Sequence, residues 1–436
     1  MNSKNREYSD VSSVWQETAL PPVDLPRLET ATRADVIVIG GGFTGLSAAH
    51  HLAALGMDAI VLERAVPGWG ASGRNGGMLV PRPKLNYTDI ARAYGEAEAL
   101  RQRRIQREAV ETVEALIACH DIPCHYARQG YIAAAHSENA NAILEKEADW
   151  LHGPAGESGV RHLSRAEVRK ELGGGAYVGG YLDPLGARVQ PLAYARGLAD
   201  GLKRSGVALY ASSEVTAVEE NANCVTVHTP GESVTAAHLI VATNGYTPSD
   251  LGLGNLHRRI IPVASSAVAT APLPENEIGR YLPGGRAMSD TKRLLNWVRI
   301  SPDNRVVFGG RGDITGKRDD AESYRGIEAA LHRLFPDLQD VPITHRWSGM
   351  VAVPREKWPH LGSLSARIHF AMGYGGRGVA MASLLGRYLA RCVAGERDDL
   401  GPITAGPFRP FALHSLRVPG MRTAAAWYGL RDRLGL

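Results

Sequence analysis

Apolar runs alternate with polar, glycine-rich breaks along the chain, and the length of each run predicts an element. Residues 36–39 are four apolar residues in a row, bounded by Asp35 and by glycines from Gly40. A run this short and continuous predicts a strand covered on both faces. A helix is expected to follow as far as about Leu55, and residues 59–62 form a second strand that ends at Glu63. Residues 93–118 carry Ile105, Ala109, Val113 and Leu116 at spacings of four, four and three, which predicts a helix. Residues 125–135 read as a strand containing Gly130. Residues 137–152 read as a helix capped by Ser137, and 191–204 as one with Pro191 in its first turn. Strands are expected at 207–210, 214–218 and 225–229, the last two joined by a Glu-Asn-Ala-Asn turn, and again at 239–242.

From 258 to 310 the pattern is mostly that of strands. Ser301-Pro302-Asp303-Asn304 is a tight turn between 297–300 and 306–308, which makes a hairpin. Residues 322–335 read as a helix. Residues 368–372 read as a strand that leads through glycines into a helix over 379–394. The first 33 or so residues are polar and Pro-rich and are expected to form an extended arm. Strand–helix alternation at the start, middle and end, with mixed material between, predicts α/β plus α+β architecture in two domains, each assembled from separated stretches.

Composition narrows the function classes. Lys plus Arg minus Asp plus Glu is 49 − 45 = +4, with both signs interspersed. A strong basic cluster, the mark of a nucleic-acid binder, is missing, so no nucleic-acid partner is expected. The tail is the exception: Arg409, Arg417, Arg422, Arg431 and Arg433 outnumber its one acid, Asp432, and a docked surface helix is the expected reading. Cys119, Cys124, Cys224 and Cys392 form no CxxC and no zinc-ligand spacing with histidine, so no metal is expected and the thiols read as free, in a reducing compartment. No apolar run reaches 18 residues and the N-terminal stretch lacks an apolar core, so a cytoplasmic location with no transmembrane segment is expected.

The chemistry begins at Gly40-Gly41-Gly42-Phe43-Thr44-Gly45, a G-x-G-x-x-G that follows a predicted strand and opens a predicted helix. Gly40 permits the turn, Gly42 lets backbone amides approach a diphosphate, and Gly45 lets helix and strand lie close. The helix N-terminus, with Phe43 and Thr44, stabilises the phosphate charge. Glu63, followed by Arg64, can accept hydrogen bonds from both ribose hydroxyls, and it argues against a 2′-phosphate. This half-site suits NAD and FAD equally. Four further stretches favour FAD: 70–77 (Gly-Ala-Ser-Gly-Arg-Asn-Gly-Gly), 214–218 (Glu-Val-Thr-Ala-Val), 241–245 (Val-Ala-Thr-Asn-Gly, containing Thr243) and 373–379 (Gly-Tyr-Gly-Gly-Arg-Gly-Val). NAD has no need of a second glycine loop some 330 residues after the first. A flavin has, because its ring lies far from its adenine and a second helix N-terminus can stabilise negative charge on the ring.

On these motifs, with Phe308-Gly-Gly-Arg311 and Trp347-Ser-Gly349, the chain resembles the D-amino-acid oxidase superfamily of FAD-dependent oxidoreductases. Within it the chain is most similar to the gamma-glutamylputrescine oxidoreductase group. The resemblance spans roughly residues 10–395. It implies a Rossmann-like (GR2-type) FAD-binding domain from 33–80, 190–245 and 345–400. A mixed-sheet substrate domain would come from 81–189 and 246–344, with an arm at 1–32 and a tail at 401–436. It also implies that Ser72, Arg74, Asn75 and Gly76 lie near the flavin ring and diphosphate. Val215 would meet adenine through its backbone, and Gly375, Arg377, Gly378 and Val379 would line the pyrimidine edge. Three departures stand out. Arg377 replaces a frequent histidine, Ala380 stands where sarcosine oxidase has a carboxylate-binding lysine, and 347–353 lacks the cysteine that tethers flavin there. Non-covalent FAD is therefore expected.

Such an enzyme removes a hydride from the carbon beside an amine nitrogen, and the imine then hydrolyses in water. The protein binds the neutral amine, places its C–H and excludes water, so no acid–base pair is required. Arg74, Trp297, Arg311, Trp347 and Tyr374 are the candidate pocket residues. For the two tryptophans core packing is the alternative, and for Arg311 a structural ion pair. His345 reads as an ordinary strand histidine. The expected partners are a small amine and oxygen or another electron acceptor. A dehydrogenase serving a quinone or carrier protein, an NAD enzyme and a non-catalytic flavoprotein are the rival readings.

Overall fold

The computed structural model describes residues 12–316 and 320–433. Most of its strands belong to two eight-stranded sheets. The first is parallel at its centre, in the order Ile368–Met372, Ser233–Val241, Thr32–Ile39, Ala59–Leu62, Ala208–Tyr210. Val36, Ile37, Val38 and Ile39 are buried, and so are all of 59–62, as their unbroken apolar runs require. The second sheet is mixed. It runs Ile343–Pro354, Ile260–Thr270, Val306–Gly310, Trp297–Ile300, Ala287–Asp290, Tyr131–Ala135, Gly179–Asp183, Arg161–Ser164, with one parallel pair between 287–290 and 131–135. Strands of each sheet come from separated stretches of chain, as expected of an α/β plus α+β protein.

Two helices with glycine loops at their N-termini lie side by side on the first sheet: Phe43–Ala54 and Gly378–Val393. Gly386 permits the contact, because a Cβ there would sit 2.5 Å from the Thr44 carbonyl oxygen. Ser47 Oγ donates to Ser383 O at 2.6 Å across the seam. Pro191–Arg204 packs beside the first of these helices, and Glu96–His120 packs against the second.

Several expectations hold closely. The Ser137 cap accepts from Ala140 N, the helix Pro191–Arg204 starts on its proline, and the 301–304 turn joins its hairpin. Others need correction. The helix expected over 93–118 is two, Tyr87–Tyr94 and Glu96–His120, because Gly95 at φ +91 breaks the backbone between them. The strand expected at 214–218 forms at Ala217–Glu220 instead. The described part of the arm is not wholly extended: Val14–Thr18 is a helical turn whose Val14 and Trp15 are fully buried. Residues 345–354, expected with the nucleotide-binding part, pair along the whole strand Ile260–Thr270 and so belong by hydrogen bonding to the second sheet. The tail forms a helix, Arg417–Arg433, held by Asp432 accepting from the amides of Arg293 and Leu294. No described helix is long and apolar enough to cross a membrane.

Candidate active site

The first glycine loop folds as its residue types dictate. Gly40 has φ +110, and a Cβ there would press on the Ala242 carbonyl oxygen at 3.1 Å. Gly45 lies over Gly40 O, 1.9 Å from where its Cβ would be, so helix and strand touch at backbone distance. Gly45 therefore shapes the loop from behind and does not line the cavity. Glu63 ends its strand under the loop, and its carboxylate accepts from Gly41 N at 2.7 Å and Ala65 N at 3.0 Å. Burial raises its pKa against the pull of those amides and of Arg64.

A second loop closes over the first. Ser72 Oγ accepts from Phe43 N at 3.0 Å, and a Cβ on Gly42 would meet that same oxygen at 2.8 Å. The Asn75 side chain is spent within its own loop, donating to Ala71 O and Ser72 O and accepting from Gly77 N. Two buried tryptophans hold the backbone here: Trp15 Nε1 donates to Asn75 O and Trp347 Nε1 to Arg74 O, both at 2.9 Å. Trp347 is fully buried, edge-on to Trp15, and does not line the cavity; it is corrected from a pocket residue to a support for one. Arg64 and Arg74 both lie against the Trp69 ring, at 4.6 and 4.4 Å.

The third loop, 373–378, arrives from the far end of the chain. Tyr374 OH and Thr44 Oγ1 are 2.7 Å apart, so the N-termini of the two helices are joined directly although 330 residues separate them. Both helix N-termini line one continuous cavity. Along its wall stand Gly40, Gly42, Phe43, Thr44, Glu63 and Arg64; then Ser72, Arg74, Asn75 and Gly76; then Val215 and Thr243; and at the second helix Gly375, Arg377, Gly378 and Val379. A cradle of close-approach glycines, two helix N-termini and a half-buried carboxylate fits a dinucleotide with an adenosine at Glu63 and anionic groups at both loops.

Beyond the third loop the cavity continues between the sheets. Trp297 is wedged between glycines: Cβ atoms on Gly76 and Gly309 would sit 3.0 and 1.9 Å from its ring. Arg311 lines the same region, its pKa lowered by burial and pulled back by Tyr428 and Asp432. The Arg377 guanidinium faces Tyr131 of the second sheet, with Arg82 and Tyr181 beside it, and burial lowers its pKa too. His345 bonds Glu17 at 3.0 Å, outside the cavity.

Sequence reasoning missed Lys84. It stands in Pro81-Arg-Pro-Lys84, a stretch with no periodicity and no motif, and it lines the cavity. Burial, then the charges of Arg377, Arg311, Arg82 and Lys357, push its pKa down to about 7. This end of the cavity is thus ringed by cations. The cavity's lining carboxylates, Glu63 and Glu214, sit at the first-loop end, where Ser213 N pairs with Glu63 O. Tyr246, the residue just after the 241–245 stretch, lines the cavity and was also missed; its hydroxyl accepts from Met350 N at 3.2 Å.

Comparison with known proteins gives a consistent picture. Residues 35–392 match the family described as FAD dependent oxidoreductase, DAO. Gamma-glutamylputrescine oxidoreductase of Escherichia coli K12 is 33% identical over 426 residues, covering 98% of this chain and 99% of that protein. A probable oxidoreductase, OrdL, of Haemophilus influenzae is 32% identical, covering 89% and 90%. Among solved structures, glycine oxidase from Geobacillus kaustophilus superposes with a TM-score of 0.73 at 21% identity, over 85% of this chain and 98% of that one. Iminodiacetate oxidase from Chelativorans sp. BNC1 gives 0.70 at 22%, over 85% and 99%.

Proposed function

Since the chain belongs to the DAO family of FAD-dependent oxidoreductases, we propose that it oxidises the C–N bond of an amine that also carries a carboxylate. The observation that carries this reading is the ring of positive groups, Lys84, Arg311, Lys357 and Arg377, at the cavity end beyond the third loop. A free diamine, doubly positive at neutral pH, would be repelled there, and a carboxylate is attracted. The names of the relatives agree in chemistry: gamma-glutamylputrescine, glycine and iminodiacetate are all amines bearing a carboxylate.

The first loop and Ser72 would hold the diphosphate of FAD, Glu63 its ribose, the Val215 backbone its adenine, and Gly375 to Val379 the pyrimidine edge. Bound FAD supplies a two-electron acceptor for the hydride on the carbon beside the substrate nitrogen. The chain's own residues do the rest. Arg311 and Lys84 bind the carboxylate and thereby orient the molecule. Trp297, locked between Gly76 and Gly309, forms a fixed wall that keeps water out. The surrounding positive charge disfavours a protonated amine, so the neutral form, the one able to release hydride, is the form that binds. The imine hydrolyses once it reaches water. Positive charge also favours dioxygen as acceptor, since each added electron makes it an anion.

The test is anaerobic mixing of the yellow protein with a panel of amines. Gamma-glutamylputrescine or iminodiacetate is expected to bleach it, and putrescine is not. Equal bleaching by putrescine would refute the carboxylate requirement. In air, one peroxide per imine is expected; imine formation that needs an added quinone would refute dioxygen as acceptor.

A further inference from the structure

The C-terminal half of the helix Phe43–Ala54 carries part of a second cluster of donor side chains, away from its glycine loop. His50 faces the end of Glu96–His120, where Cys119 and His120 stand. His50 Nδ1 and His120 Nε2 are 3.0 Å apart, and one ligand atom from each of the three residues lies within 4.8 Å of the others. We propose that His50, Cys119 and His120 form a transition-metal site, suited to zinc, that clips these two helices together. Among the described residues this is the one group of three or more such side chains with ligand spacing.

The geometry suits the ion. Zinc–nitrogen bonds of about 2.05 Å in a tetrahedron set neighbouring nitrogens about 3.3 Å apart, and a thiolate sulfur slightly farther. The imidazole pair already stands close to one such edge. Cys119 is exposed, so its sulfur can swing inward and leave a fourth position for water. The His120 ring is held in place: Gly201 leaves room for it, a Cβ there falling 2.4 Å from Nδ1, so Nε2 is the nitrogen turned toward His50. Cys119 and His120 stand in the last turn of Glu96–His120, whose partial negative charge favours a cation. The neighbouring cation, Arg204, is engaged by Asp200 at 3.1 Å and by the His120 carbonyl. Two imidazoles and one thiolate, with no carboxylate, select zinc or copper over magnesium or calcium. None of the three residues lines the reaction cavity, so this site stands independently of the proposed amine chemistry.

The experiment loads chelator-treated holoenzyme with one equivalent of cobalt(II), then displaces it with zinc. The expected result is a set of tetrahedral, thiolate-bearing cobalt bands at wavelengths beyond the flavin absorption, and one zinc per chain in competition with a chromogenic chelator. Cys119→Ser, at an exposed position, is expected to fold normally and bind zinc roughly tenfold or more weakly. His50→Ala should behave likewise. The thermal midpoint should rise with zinc for the wild type and rise less for both variants at the same zinc concentration. An octahedral cobalt spectrum, or wild-type zinc affinity no better than that of Cys119→Ser, would overturn the proposal.

Discussion

Lys84 shows what a single side chain contributes to the site. Its pKa of about 7 makes it a cation below neutrality and a neutral amine above. A carboxylate ligand binds the protonated form, so its affinity should fall as pH rises through 7. The Lys84→Met variant should bind more weakly at low pH and lose that slope. Competition by a non-oxidisable amino-carboxylate between about pH 6 and pH 8 measures both; a slope unchanged in the variant assigns the titration elsewhere. Individual residues differ in how far the sequence reveals them. Glu63 and the glycines at 40, 42 and 45 were legible because strand, loop, helix and acid are adjacent in the chain. Lys84 was not, because its partners Arg311, Lys357 and Arg377 come to it only through folding. Trp347 was legible as important and illegible in role: nothing local distinguishes an indole that lines a cavity from one that supports the loop beside it.

At the scale of elements, the decisive contact is the seam between the two loop-bearing helices. Gly386 allows it, with Thr44 O 2.5 Å from the missing Cβ. Gly386→Ala is expected to spread the helices and cost about 1–3 kcal/mol of stability, by the overpacking of a close contact. It should also weaken FAD binding, because the Thr44–Tyr374 bond spans the same seam. Denaturant melts and FAD titration of apoprotein read the two effects; unchanged values for both would show that the seam adapts. Most elements were legible from run length and caps, since apolar runs such as 36–39 and 59–62 and the Ser137 cap carry local signals. The break at Gly95 was misread because an amphipathic pattern continues across it, while the positive φ that ends one helix and starts the next is a backbone property. The strand at Ala217–Glu220 shifted because its register is set by pairing with Val225–His228, not by its own residues.

Across the whole molecule, the arm ties the parts together. Trp15 meets Trp347 of the second sheet, stacks under Arg299 at 5.1 Å, and holds the Asn75 carbonyl of the loop beside the first sheet. Gln190 donates to its carbonyl, and Glu17 pairs with Arg305 at 2.9 Å. Trp15→Ala should therefore cost about 3–5 kcal/mol as a large buried deletion and release FAD more readily. Thermal unfolding followed by flavin fluorescence checks this; a variant with the wild-type midpoint would show that the arm is dispensable. The sequence could not disclose this tie, since a Pro-rich polar stretch looks the same whether it is docked or free. The two-part assembly was legible from alternating patterns, but the strand at Ile343–Pro354 changed sides because pairing partners are set by topology. The bond between Thr44 and Tyr374 has a last consequence, in time. A ribosome has finished the first glycine loop long before Tyr374 leaves its exit tunnel, so the nascent chain carries only half of the nucleotide cradle for most of its synthesis. Flavin capture is accordingly a late event in the birth of the protein, one that waits for the helix Gly378–Val393.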